Sequence, residues 1–445
     1  MKSRIGIFWN ELNTSFWFVP TLLALGAITF SFATLALDER FINATALVFG
    51  YDRGTDGART LLSTAAGSVI TVAGVTFSIT IATLAQASSQ FGPRLLRNFM
   101  ADKSNQLVLG TFTSTFLYCL LVLRAINGTG STPFVPHLSV SVGLFLAILS
   151  IGVLIYFIHH VASSLQADSV IASANHTLNT TITRLFPKNT KQDESAHAQD
   201  AGTQDIPENF DHIASPIRAV KSGYLQSIER EQLMRLATEH DVLLRVEFEP
   251  GAFVVQGKPL VLIRSTRPSD DKLRKRIQGA FLIGMRRTTA QDLDFAIDNL
   301  VEVAVRALSP GINDPFTAMS CLDWLGEALS QLSEKTFPTP YQHDDTGILR
   351  VIMPVVTFRH LADTAFTQIR HAARTNPTIT MHLLKTITSI LTSTNNQEVC
   401  AVLFHHVTLI EHASRDGLPD ADDQQQVKAL YQEIEQLLRP NQWYV

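Results

Sequence analysis

Hydroxyl and amide side chains recur at helical spacing inside the run LLSTAAGSVITVAGVTFSITIATLAQASSQ, residues 61–90. Thr64, Ser68, Thr71 and Ser78 form one stripe, and Thr76, Thr80, Thr83 and Gln90 form a second. Polar groups of this kind line aqueous paths through membranes, and one stripe per subunit of an oligomer would surround an axis. Arg94, followed by Arg97, would then set a positive ring at the mouth and favour anions. The same residues also suit packing. Gly67, Ala73, Gly74 and Ala82 let helices approach closely, and hydroxyls bond the carbonyl four residues back. Arginines beside a span serve equally as ordinary flanking charges. Both readings stay open, because one helix has more than one face.

Elsewhere the reactive residues do not assemble into a motif. Asp294, Asp298 and Glu302 recur every four residues; carboxylates so placed could meet a metal, and a solvated helix face gives the same spacing. Lys272, Arg274, Lys275, Arg276, Arg286 and Arg287 are a basic group that would receive an anionic ligand or a lipid headgroup, or serve as solvated charge. His360, His371, His405, His406 and His412 are scattered, while His159 and His160 close an apolar run, as interfacial residues or as a metal site or pH sensor. No H-E-x-x-H, G-x-S-x-G, P-loop or G-x-G-x-x-G string occurs. Cys119, Cys321 and Cys400 lie far apart without a C-x-x-C pair, which argues against a disulfide framework or a Cys-rich zinc site. The expectation is a protein that is not an enzyme and carries no metal and no cofactor.

The elements that must position these residues are dominated by four apolar runs: Phe16 to Leu37, Leu61 to Leu84, Leu107 to Leu123 and Leu138 to Ile158. Each is close to the roughly 20 residues a helix needs to cross a bilayer core of about 30 Å. None contains Asp, Glu, Lys or Arg, and a charge at mid-membrane is costly. The first run is too long for the apolar region of a cleavable signal peptide and reads as an uncleaved anchor. Lys2, Arg4, Arg94, Arg97 and Lys103 fall on one side, and Arg40, Arg53, Arg59 and Arg124 on the other. The first group includes the N-terminus, so the bias places both termini in the cytoplasm. The chain of 445 residues has a net charge of −4, which gives no reason to expect nucleic acid as a partner. Its mean hydropathy of +0.13 averages an apolar first third and a polar remainder.

The expected fold class is a membrane α-helical domain of four transmembrane helices with a cytoplasmic α+β region, a small β barrel-like unit followed by an α-helical bundle. The domains are 1–165 in the membrane, 166–210 as helical extension and polar linker, 211–268 as the β unit and 269–445 as the helical part. In RVEFEPGAFVVQGKPLVLI the Pro250-Gly251 and Gln256-Gly257 pairs separate three short strands. Thr289 is the expected cap of a helix carrying Leu293, Ile297, Leu300, Val301 and Ala304. After Ser309, Pro310 and Gly311, Asp314 and Pro315 fit the cap and first position of the next helix. Further helices are expected at about 351–374, 377–393, 396–415 and 421–438.

Several segments resemble a known family. FSITIATLAQASSQFGPRLLRNF (77–99), the strand pattern from Ser222 to Gln226 and on to PGAFVVQGKPL, and RRTTAQDLDFAIDNLVEVAVRALSPGINDPFTA (286–318) are similar to the bacterial family of predicted membrane proteins catalogued as domain of unknown function 2254. The resemblance spans nearly the whole chain. It implies a bacterial inner-membrane protein and supplies no reaction or substrate. Its strings single out the second span with Arg94, and Gln291, Asp292, Arg306, Asn313 and Asp314; only one of Arg286 and Arg287 fills the single arginine position of R-x-x-x-Q-D. The resulting expectation is a homo-oligomer in the lipid bilayer, an ion channel or passive path lined by the second span through Thr76, Thr80, Thr83, Gln90 and Arg94, with a cytoplasmic vestibule or gate and a small ion or anionic ligand as partner. The alternative is a non-transporting sensor or scaffold that the spans merely anchor.

Overall fold

The computed structural model describes residues 15, 17–40, 54–92, 102–126, 134–164, 166–187, 206, 210–265 and 270–438. Two compact units divide the chain, Met1–Val170 and Ile171–Val445. Arg94 with the basic stretch after it, and nearly all of the polar linker, lie outside the described residues.

The first unit holds α1 (Phe18–Arg40), α2 (Gly54–Phe91), α3 (Lys103–Ala125) and α4 (His137–Ser164). All four are long and apolar enough to cross a membrane. At about 1.5 Å per residue, the 38 residues of α2 exceed a bilayer core of about 30 Å, so α2 projects beyond it. The central helix is α3. It packs on α1, α2 and α4, and 44 % of its apolar window is buried, against 17 % for α1 and for α2. Close approach is made by glycines of α3 and α4: a Cβ on Gly110 would lie 3.2 Å from the Pro20 backbone, and one on Gly143 would be 2.8 Å from Leu62.

The helix expected to run on past Ile158 to Leu185 is two helices instead. α4 ends at Ser164, and α5 (Ala167–Leu185) follows after Gln166. At the break, the Ser163 carbonyl accepts from the Gln166 N–H at 3.4 Å and the Ser169 hydroxyl at 3.0 Å. Side-chain bonding of that kind competes with the helical ladder.

The second unit continues with a one-turn α6 (Phe210–Ile213), β1 (Ser215–Arg218), β2 (Gly223–Ile228), α7 (Arg230–Glu239), β3 (Val242–Val246), β4 (Phe253–Val254), β5 (Pro259–Ser265), α8 (Asp271–Gln278) and β6 (Phe281–Gly284). There follow α9 (Leu293–Ala307), α10 (Pro315–Ser333), β7 (Tyr341–His343), β8 (Leu349–Ile352), α11 (Phe358–Ala372), α12 (Pro377–Ser393), α13 (Gln397–Gly417) and α14 (Ala421–Leu438). The Pro-Gly and Gln-Gly pairs do separate β3, β4 and β5, with Gly251 at φ +97° and Gly257 at φ +82°, a conformation glycine adopts without strain.

The barrel-like unit does not form. The described strands make an open sheet of order β1-β5-β3-β8-β7 and a second of order β4-β2-β6, and neither closes on itself. β6, β7 and β8 come from residues beyond 269, so the later part of the chain completes both sheets. The helix expected from 351 begins only at Phe358, because Leu349–Ile352 is buried at every position as β8 and Pro354 follows. β8 pairs in parallel with β3 through Leu244↔Val351 and Arg245↔Ile352. In α9 the inward residues Ala296, Ile297, Leu300, Val303, Ala304 and Ala307 follow the 3.6-residue period.

Candidate functional site

Along α2 the buried residues Ala58, Leu62, Ala66, Val69, Ala73 and Thr76 recur at steps of three or four and form a packing seam. Thr80 and Thr83, both half-buried, and buried Ala87 continue it. Thr76, Thr80 and Thr83 of the second stripe, expected to line the path, therefore lie on the seam by which α2 meets its own subunit, and it is the first stripe that faces outward. Thr76 is 3 % exposed with its hydroxyl unpartnered, while Thr80 donates to the Thr76 carbonyl at 2.8 Å. Gln90 is exposed near the end of the helix.

Thr64, Ser68, Thr71 and Ser78 are each offset by two residues from a seam position, about 200° around the helix. They face away from the subunit, and all four are exposed. Thr71 donates to the Gly67 carbonyl at 2.8 Å and Ser78 to that of Gly74 at 2.9 Å. A Cβ added to Gly67 or Gly74 would meet nothing within 4 Å. The outward surface of α2 also carries Ile70, Val75, Phe77, Ile79 and Ile81, while α1 turns Leu22, Leu25 and Phe32 outward and α4 turns Phe145, Ile151 and Ile155 outward.

Polar groups that the sequence alone did not single out lock the bundle at both ends. Asp38, 1 % exposed on α1, accepts hydrogen bonds from the N–H groups of Leu138 at 3.0 Å and Ser139 at 2.9 Å and from the Ser139 hydroxyl at 2.7 Å. One helix thus caps the exposed N-terminus of another. Tyr118 of α3 joins the same cluster, 3.0 Å from the Thr34 hydroxyl and donating to the Ser139 carbonyl at 3.2 Å. Arg59 of α2 donates to the Ile126 carbonyl at the end of α3. At the opposite end of α3, Asp102 caps the helix through the Ser104 N–H and lies 2.5 Å from His160 Nε2. His160 is thereby engaged with an aspartate near the end of its helix.

In the second unit the R-x-x-x-Q-D string falls at the N-terminus of α9. The cap is Asp292, not Thr289: its carboxylate accepts from the Phe295 N–H at 2.9 Å. The same carboxylate takes two bonds from Arg287, at 2.8 and 2.9 Å, and Arg287 reaches Asp298 at 3.1 Å. Arg287 is therefore the arginine that engages Asp292, and Arg286 is exposed. Gln291 closes an amide pair on β2, accepting from the Ile228 N–H at 2.8 Å and donating to its carbonyl at 3.2 Å. Gly251 packs so closely on Asp292 that a Cβ there would overlap the carboxylate. Arg306 pairs with Glu302 at 3.3 Å, within one turn of α9. Asp314 caps α10, accepting from the Thr317 N–H at 3.2 Å and its hydroxyl at 2.6 Å. Asn313, at φ +52°, makes the left-handed step before it, a conformation asparagine tolerates. The sequence strings thus mark the two ends of α9, the Asp292 cluster and the α9–α10 junction.

A cavity of about 60 Å³ opens beside the Asp292 cluster, lined by Phe186, Arg230, Glu249, Asp292, Asp294 and Val355, among others. It is far below the roughly 300–1,000 Å³ of drug-sized ligand sites and suits a small ion or a few waters. Burial pushes the Asp294 carboxyl above its usual range, and His360, 3.0 Å away, opposes that shift. Helix α5 reaches the same place. Arg184 donates to the Thr289 carbonyl at 2.5 Å, and Phe186 meets Phe337 edge-on at 5.2 Å. Among the described residues, no three His, Cys, Asp or Glu side chains are grouped to hold a metal ion.

Fold and site together define a multi-pass membrane protein with a large α+β unit after its last span. The chain belongs to the family described as predicted membrane protein (DUF2254), whose model matches residues 13–389. It is 28 % identical over 434 residues to the uncharacterized proteins Rv1290c of Mycobacterium tuberculosis and Mb1321c of Mycobacterium bovis, covering 96 % of this chain and 81 % of each relative. No solved structure matches the chain.

Proposed function

We propose that the protein assembles as a homo-oligomer in the bacterial inner membrane, both termini cytoplasmic, and that its α2 helices surround a passive pathway for small ions. The supporting observation is the outward stripe of Thr64, Ser68, Thr71 and Ser78 with open glycines between them. Lipid tails offer such a face neither hydrogen bonds nor close packing, while a second copy or an aqueous axis offers both. Cyclic symmetry places one such face per subunit around the axis. The soluble unit acts as vestibule or gate, and Arg94 biases the mouth toward anions.

Ion flux into liposomes carrying the purified assembly tests this. Wild-type protein conducts; Thr71→Leu abolishes flux while the subunit stays folded, because position 71 faces away from the packing seam; and Arg94→Glu shifts selectivity toward cations. Assembled wild-type protein that passes no small ion at any voltage or pH would remove the pathway. The second reading, an anchored sensor or scaffold, would then stand on the charged cavity between Asp292, Asp294, Glu249 and Arg230.

A further inference from the structure

We propose that the soluble unit docks on an anionic lipid bilayer through the face made by residues 218–222 and 253–258. This face is independent of the ion pathway. Backbone and side-chain bonds lace the two segments together: the Ala219 N–H donates to the Lys258 carbonyl and the Gly257 N–H to that of Ala219, both at 2.9 Å. Arg218 donates to the Gly257 carbonyl at 2.8 Å, and the Gln256 N–H to the Ser222 hydroxyl at 2.9 Å. The surface so fixed presents three apolar side chains to solvent, Val220 at 62 %, Phe253 at 54 % and Val255 at 46 % exposure. Arg218, Lys221 and Lys258 are exposed among them.

The two segments themselves carry charge of one sign. Residues 214–228 and 250–265 contain no Asp or Glu, in a chain whose net charge is −4. Helix α8, which opens on Asp271 after its cap Asp270 and pairs Arg276 with Glu239 at 3.3 Å, adds Lys272, Arg274 and Lys275 and is tied to β1 by Arg274 and Gln278, which donate to the Pro216 and Arg218 carbonyls. Glu247, beside Leu260, is held by Arg245 at 3.0 Å. Apolar side chains within a basic rim match a headgroup layer: the rim meets lipid phosphates while the apolar tips enter the acyl boundary. A chain already anchored in that bilayer meets it at high effective concentration.

The test uses the full-length protein in liposomes. Cys119, Cys321 and Cys400 are buried, so a fluorophore on Val255→Cys reports this face alone, and one on Ile348→Cys, also exposed, serves as reference. Quencher-bearing lipids should quench the label at 255 in anionic liposomes, much less in zwitterionic ones, and not the label at 348. Lys221→Gln and Lys258→Gln should each weaken docking by roughly fivefold, and high salt should do the same without any substitution. Equal quenching in anionic and zwitterionic liposomes overturns the proposal. So does a label at 255 open to aqueous iodide in both, or one shielded from iodide yet untouched by the lipid quencher, which would mean that protein covers the face.

Discussion

Asp292 does three things at once: it caps α9, neutralises Arg287 and seats Gly251. Its side chain is 1 % exposed, so Asp292→Ala leaves the guanidinium without its main partner as well as removing the cap. Breaking a buried pair costs about 3–5 kcal/mol and losing a cap about 0.5–2 kcal/mol; thermal or denaturant melting should show a loss in the upper part of that range. Gly251→Ala should be destabilising too, from overlap with the carboxylate and from the strain of φ +97°. His406 on α13 supplies the pH dependence. It is 1 % exposed, its ring edge-on to Phe366, and burial lowers its pKa to about 4 although Asp363 opposes the shift. An unfolded histidine titrates near about 6.5. The folded state thus binds the proton more weakly, so stability is complete above the unfolded value and is lost as the pH falls from there toward 4. Melting at about pH 5 should show a loss of about 2 kcal/mol relative to about pH 7, and His406→Leu should flatten that dependence; an unchanged slope would assign it to other groups. Sequence alone identified Asp314 as a cap because Pro315 beside it is a local signal. It placed the α9 cap at Thr289, since only the fold brings Arg287 and Gly251 onto Asp292.

At the scale of elements, the four spans were legible because length and absence of charge are local properties. Which span lies at the centre was not. The small residues of α2 suggested close packing, yet Gly67 and Gly74 are open, and the tight contacts belong to Gly110 and Gly143. Hydroxyl and small residues occur on both the buried and the outward face of α2, so polarity does not mark the seam and its direction emerges only when neighbours are placed. Two substitutions separate the roles. Gly110→Leu should push α1 off α3 and destabilise the isolated subunit, whereas Gly67→Leu should leave the subunit intact and weaken its assembly; native electrophoresis and melting in mild detergent read both. Loss of subunit stability in Gly67→Leu would mean that the outward face is needed within the fold. Strands β6 and β8 escaped for a related reason: each is short, and its partner is distant in sequence, β2 for β6 through Tyr224↔Gly284 and β3 for β8 through Leu244↔Val351, while β7 forms only against β8.

For the whole molecule, the claim that matters is that the outward stripe of α2 borders water. Its most direct measurement is the modification of Thr71→Cys by a charged, membrane-impermeant thiol reagent while ion flux is recorded in liposomes. The native cysteines give little background: all three are buried, and burial raises the Cys321 thiol to about 12, away from the reactive thiolate. The same substitution at Ile151, which α4 turns outward among apolar neighbours, is the lipid-facing control. The account predicts that the reagent reaches residue 71 and stops the flux, while residue 151 neither reacts nor affects it. A residue 71 that stays unmodified, or that is modified with the flux unchanged, would contradict it.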